Sequence, residues 1–166
     1  MKLQVEDARQ ERDRKFPFSF KKPAAALGEV EAFPWKDNEV TVVGKFWYDG
    51  SHIIVRGTVH TSGVYPCGRC LTPVSVDRKE RLSEVYGTEA ELPPDVLPYN
   101  GEYIDLTETI REILILSEPM NVLCRPDCAG FCPQCGANLN DGPCSCPTER
   151  IDPRLAVLND LLHDKQ

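Results

Sequence analysis

Alternation of apolar and polar residues sets in at Glu39. Val40, Val42, Phe46 and Tyr48 share one parity around Gly44, Asp49-Gly50 supplies a tight turn, and Ile53, Val55, Gly57 and Val59 then alternate with polar neighbours. This spacing predicts a β-hairpin. After Pro66-Cys67-Gly68-Arg69-Cys70 the run LTPVSVDRKERLSEVY alternates again through Val74 and Val76 to Val85 and Tyr86, which predicts a third, longer strand. Together the three make an antiparallel meander with one buried face. Residues 1–37 carry weaker signals: Met1 to Glu6 alternates enough for a short strand, while Pro17, Pro23 and Pro34 interrupt any long element.

The segment GTEAELPPDVLPYNGEY, with three prolines and two glycines, reads as an irregular connection from the sheet to a helix. Asp105 is placed to cap that helix, with Glu108 three positions on to complete a capping box. Leu106, Ile110, Ile113 and Leu114 fall on one helical face, Ile115 and Leu116 widen the stripe, and Pro119 ends it. Such a stripe predicts a helix buried deeply against the sheet. A second helix is expected from Asp152-Pro153, with Leu155, Leu158, Leu161 and Leu162 facing inward. The fold class is therefore α+β: an antiparallel meander packed with two helices, in one domain over residues 1–166, with a Cys-rich segment at 124–146 inside it.

Composition adds that this is a globular chain without a membrane span, since apolar residues are 41% and charged residues 27% with no long apolar run. The opening MKLQVEDARQERDRKF mixes both charge signs and resembles no export signal, so a cytoplasmic location with reduced thiols is expected. The net charge of -7 is unevenly spread: residues 1–22 hold seven Lys and Arg against four acids, leaving 12 basic and 22 acidic residues for the rest. Between Glu84 and Glu118 nine acids accompany a single base, Arg111. A face so composed opposes a phosphate backbone and is either a solvated surface or a site for a basic protein.

The strongest chemical signal is CRPDCAGFCPQCGANLNDGPCSC at residues 124–146, six of the chain's eight cysteines. A disulfide framework belongs to an oxidising compartment, which the N-terminus argues against. A redox pair at Cys67-Gly68-Arg69-Cys70 would need a helix after the first cysteine, and the LTPVSV run beyond the pair is strand-like. Metal binding suits the spacing. In Cys132-Pro133-Gln134-Cys135-Gly136 the two intervening residues let the backbone wrap one ion, and soft thiolates in fours form the closed tetrahedral site of structural zinc. One division of ligands groups Cys132, Cys135, Cys144 and Cys146 locally and Cys67, Cys70, Cys124 and Cys128 as a long-range clamp. The rival division pairs the two knuckles, Cys67/Cys70 with Cys132/Cys135; either one or two structural zinc ions fit the count.

A catalytic metal is disfavoured. Pro66-Cys67-Gly68-Arg69-Cys70 matches half of the zinc deaminase signature, but neither His52 nor His60 opens the HxE that would supply a third ligand and a general acid/base. His52, His60 and His163 read as ordinary strand or surface histidines. No GxSxG, HExxH or phosphate-cradling glycine loop is present.

CGRCLTPV after a hairpin, GEYIDLTETIREILILSEP, LCRPDCAGFCPQCGANLN and the closing DPRLAVLNDLL occur in the order and spacing that resemble the YceD (DUF177) family of large-ribosomal-RNA accumulation proteins, over about residues 40–162. The resemblance implies a non-enzymatic bacterial protein needed for 23S ribosomal RNA accumulation and large-subunit biogenesis. Expected partners are a basic ribosomal protein or a pre-ribosomal particle and, as a further candidate, 23S rRNA itself, with no membrane and no small-molecule substrate. The alternative is a direct RNA-binding zinc-knuckle protein using Arg69, Arg125 and the basic stretch holding Arg9, Arg12, Arg14, Lys15, Lys21 and Lys22.

Overall fold

The alternating segments pair as their periodicity requires. In the computed structural model, which describes residues 1–88 and 92–147, the chain forms two units, Met1–Cys124 and Arg125–Gln166. The first contains β1 (Lys2–Gln4), α1 (Glu6–Gln10), β2 (Phe16–Pro23), a 3-10 turn (Ala24–Leu27), β3 (Glu39–Tyr48), β4 (Ile53–Pro66), β5 (Pro73–Gly87), β6 (Leu97–Pro98), β7 (Tyr103–Asp105) and α2 (Thr107–Leu116). The fold class is α+β, as expected. The second predicted helix, with Leu155, Leu158, Leu161 and Leu162, lies outside the described residues, as do Glu89 and Glu91.

β2, β3, β4 and β5 pair antiparallel in that order, and β6 adds a short parallel pairing to β5, Tyr86 opposite Leu97 and Gly87 opposite Pro98. The predicted hairpin is β3–β4, with Tyr48 opposite Ile53. Its turn is held by Asp49 Oδ1, which accepts from the N–H groups of Ser51 and His52, each at 2.8 Å, while Gly50 takes φ 108°. Gly44 and Gly57 stand opposite each other. A Cβ at Gly44 would lie 2.7 Å from the Phe18 ring, so glycine makes room for the aromatic on β2.

β2 itself was not legible because Pro17 and Pro23 argue against a strand. It is the edge strand of the sheet, where a missing N–H breaks no ladder. Its Phe16 and Phe18 reach the ring of Phe46, with centroids 5.7 and 6.2 Å apart.

One sheet face and α2 enclose the core. Val40, Val42, Val55, Val59, Leu82 and Tyr86 are buried with Leu106, Ile110 and Leu114, alongside Trp35 and Leu27. The helix differs from expectation at both ends of its stripe. The N-cap is Leu106 rather than Asp105, and Leu106 is fully buried. Asp105 ends β7, where its Oδ1 accepts from the Thr107 N–H at 3.0 Å and the Thr107 hydroxyl at 2.6 Å. Glu108 pairs with Arg111 instead of reaching back, so no capping box forms. Ile113 is only half-buried and Leu116 is 86% exposed, because one helical face of a ten-residue helix suffices to cover the sheet.

Arg78 lies on the covered side of β5. Its guanidinium donates to Glu118 Oε1 at 2.6 Å, the Leu114 carbonyl at 2.8 Å and Ser117 Oγ at 2.6 Å. Glu118 Oε1 also accepts from Trp35 Nε1 at 2.6 Å. A buried charge is thus fully partnered, and it fastens the C-terminal end of α2 to the sheet.

Candidate metal centre

Two knuckles of the same backbone design carry four of the cysteines. In the first, Cys67 N–H donates to the Thr72 carbonyl at 2.9 Å and Leu71 N–H donates to the Cys67 carbonyl at 2.9 Å. In the second, Cys132 N–H donates to the Ala137 carbonyl at 2.8 Å and Gly136 N–H to the Cys132 carbonyl at 2.9 Å. The residue after the second cysteine takes positive φ in both, 73° at Gly136 and 58° at Leu71. Glycine adopts that conformation freely whereas leucine is strained in it, so the first knuckle holds Leu71 against its own preference. Leu71 is exposed, so burial of its side chain does not explain the conformation.

Within the first unit, Cys67, Cys70 and Cys124 converge, with Sγ atoms within 4.8 Å of one another. The chain before Cys124 is docked on the knuckle: Gly68 N–H donates to the Val122 carbonyl at 2.8 Å. A Cβ on Gly68 would lie 2.4 Å from Asn121 Oδ1, the end of a side chain that would have to swing aside, and an ordinary 3.7 Å from the Val122 carbonyl oxygen. Cys124 N–H then donates to Cys67 Sγ at 3.4 Å, and Cys70 Sγ lies 3.6 Å from Cys124 Sγ. The Cys67 thiol is drawn down to about 6, first by the Arg69 N–H and then by the Cys124 N–H, both of which favour thiolate.

Within the second unit, Cys132, Cys135, Cys144 and Cys146 form a group with all four Sγ atoms within 4.8 Å of one another. Cys132 is drawn down to about 6, first by the Cys135 N–H and then by the Gln134 N–H. Cys146 is pushed up to about 12, first by its hydrogen bond to the Cys135 side chain and then by burial. Four crowded thiols therefore share protons unequally, and a divalent cation is what would let all four ionise. This unit also contains Cys128, four residues past Cys124 in the chain, which is buried and receives Asn140 Nδ2 at 3.5 Å from its Sγ.

The donor set fits zinc. Four thiolates about 2.3 Å from a tetrahedral zinc ion lie roughly 3.8 Å apart, close to the Cys70–Cys124 separation of 3.6 Å. The knuckle Cys132/Cys135 has its two partner thiols, Cys144 and Cys146, within its own unit. Among the described residues the candidate ligand groups consist of cysteine alone, with His52 and His60 in neither. Sequence reading missed the supporting polar groups. Asn140 orders the segment around Cys128, its Oδ1 accepting from the Ala129 N–H at 2.9 Å and from Arg125 Nη2 at 2.7 Å. Thr72 Oγ1 sits 3.2 Å from Cys70 Sγ. The signal for both is a polar side chain just beyond a knuckle, where hydrogen bonds to the thiols and their backbone hold the ligands in place.

Among the described residues, no helix is long and apolar enough to cross a membrane. No solved structure matches the chain. The chain is 37% identical over 116 residues to an uncharacterized protein of Mycobacterium tuberculosis, covering 66% of this chain and 56% of the relative. It is 33% identical over 116 residues to one from Mycobacterium leprae, covering 66% and 53%. The chain thus spans about half the length of these curated relatives. It is also 34% identical over 74 residues to the chloroplastic Large ribosomal RNA subunit accumulation protein YCED homolog 1 of Arabidopsis thaliana, covering 45% of this chain and 22% of the relative. A family model described as Large ribosomal RNA subunit accumulation protein YceD matches residues 55–162, from the β4 strand through both cysteine knuckles, and the chain belongs to the YceD family.

Proposed function

We propose that this protein supports accumulation of 23S ribosomal RNA and large-subunit biogenesis in the cytoplasm, as a non-enzymatic factor stabilised by structural zinc. The family match over residues 55–162 carries the reading, together with the plant relative's name. Zinc held by four thiolates has no open position for water, and its chemistry is to cross-link chain rather than to activate a nucleophile. Cys132, Cys135, Cys144 and Cys146 would hold one ion. Cys67, Cys70 and Cys124 would hold a second, and Cys128, tethered four residues beyond Cys124, is the fourth ligand we assign to it.

The partner we assign is a pre-ribosomal particle. A free basic ribosomal protein would be captured by the acids between Glu84 and Glu118, and several of these have internal roles. Glu118 is bonded to Arg78, Asp105 to Thr107 and Glu108 to Arg111. Glu84 is half-buried, and burial raises its pKa despite Arg56 nearby. Asp95, Glu102 and Glu112 are the described acids of that stretch left to attract a basic protein, fewer than the sequence promised.

Deleting the gene in its own host should lower the ratio of 23S to 16S rRNA and deplete large subunits in a sedimentation profile. Re-expression of the full chain should restore both. An unchanged ratio in the deletion strain overturns the reading.

A further inference from the structure

The outward face of the sheet carries five Lys and Arg, three of which, Lys45, Lys79 and Arg81, have no acidic partner among the described residues. In β3, β4 and β5 the buried residues of each strand, apart from Gly87 at the end of β5, have one parity, so the other parity points away from the core. Strand register fixes the neighbours on that side. One row across the sheet sets Lys21 and Lys79 at its two ends with His60 between them. The next brings Arg81 opposite Thr58, and the third sets Lys45 directly opposite Arg56. A fourth row begins with Trp47, whose ring has the Lys15 ammonium 5.3 Å from its centroid.

No Asp or Glu stands in the first three rows, in a chain whose acids outnumber its Lys and Arg 26 to 19. The acids of this face lie at its rim: Glu39, which meets Lys21 at 2.8 Å, and Asp77. The side chains of Lys45, Lys79 and Arg81, all exposed residues, make no hydrogen bond or ion pair among the described residues. Placing Lys45 opposite Arg56 is unfavourable for the sheet by itself, since like charges directly opposite repel. With strands about 4.8 Å apart and alternate residues about 6.8 Å apart, the three rows spread their charge over a flat area roughly 14 Å on a side. Such an open cationic plane bordered by an aromatic ring suits a polyanion with stackable bases better than an acidic protein.

We infer that this outward sheet face binds single-stranded RNA, with Lys45, Lys79 and Arg81 on phosphates and Trp47 stacking on a base. The inference rests on the reading of the protein as a large-subunit rRNA factor, which selects RNA as the polymer. These residues lie outside the cysteine knuckles and outside the basic N-terminal stretch.

The test titrates the full, zinc-loaded chain into a fluorescein-labelled mixed-sequence single-stranded RNA of about twenty nucleotides and follows anisotropy across a potassium chloride series. Converting Lys45, Lys79 and Arg81 together to Gln should weaken binding at least ~tenfold at low salt and reduce the slope of log affinity against log salt by about 2. Converting Arg12 and Arg14 to Gln should leave the slope unchanged. RNA should also quench the fluorescence of Trp47 but not of the buried Trp35, and Trp47→Phe should remove the quench while keeping the salt slope. An unaltered thermal midpoint confirms that each variant is folded. The inference is overturned if the triple variant keeps the wild-type affinity and slope, or if the wild type binds polyglutamate and not RNA. A deletion strain separates the two readings: normal 23S levels there remove the functional reading, whereas lowered 23S levels with unimpaired RNA binding by the triple variant remove this inference alone.

Discussion

Asp105 illustrates how one side chain can be placed by sequence and still do a different task. Its carboxylate was legible as a partner for the first turn of α2, and it does bond Thr107, but from the end of β7 and without Glu108. Partial burial works against its charge. The Thr107 hydroxyl and N–H, with the Met1 amino group 3.0 Å away, outweigh that and hold its pKa at about 2. A carboxyl depressed in the folded state stabilises fully above its unfolded value near 4 and loses that contribution as pH falls toward about 2. Asp105→Asn should therefore lower the thermal midpoint at neutral pH, and the difference from wild type should shrink to nothing near pH 2. A constant difference across the titration would show that shape rather than charge matters here. Arg78 was illegible for a related reason: the alternation of β5 puts it on the covered side, but composition alone gives no sign that Glu118, forty residues on, will partner it.

At the scale of elements, periodicity worked where one face is buried and the neighbours are polar. β3, β4 and β5 follow from it because each alternates against the core. α2 follows in existence and in its end before Pro119, but a run such as Ile113-Leu114-Ile115-Leu116 cannot say which member faces the sheet. Burial decides it: Ile110 and Leu114 are fully enclosed, and Leu116 is in solvent. Ile110→Ala and Leu114→Ala should each cost about 2 to 5 kcal/mol in chemical denaturation, the range for truncating an enclosed aliphatic side chain. Leu116→Ser should change the midpoint by well under ~1 kcal/mol, as for exposed positions generally. Equal losses at Leu114 and Leu116 would mean that the helix is rotated relative to this packing. β2 was hidden by its prolines, and its place at the sheet edge is a tertiary fact that no local window contains.

The scale of the whole molecule separates two ways of holding a chain together. The first unit has a continuous apolar core built from the sheet, α2 and the segment around Trp35. The described part of the second unit has nothing comparable: within 125–147 the buried residues are Cys128, Gly130 and Cys132. Cysteine spacing made that segment's chemistry readable, since a knuckle is local in sequence, whereas the approach of Cys124 to Cys67 needed β4, β5 and α2 to be in place first. A structural zinc ion contributes about 10 to 16 kcal/mol of apparent binding energy, as much as the ~5 to 15 kcal/mol of a typical domain's entire stability. A segment with so little apolar burial would depend on that energy, and a sheet with its own core would not. Protein purified without chelator should therefore contain two zinc ions per chain. Stripping them should abolish protection of residues 125–147 in amide hydrogen exchange while the amides of β3, β4 and β5 stay protected. Cys132→Ser should remove one ion and reproduce the loss in that segment. If the metal-free chain keeps residues 125–147 protected, hydrogen bonds such as those of Asn140 suffice to order them, and zinc is not what holds the second unit.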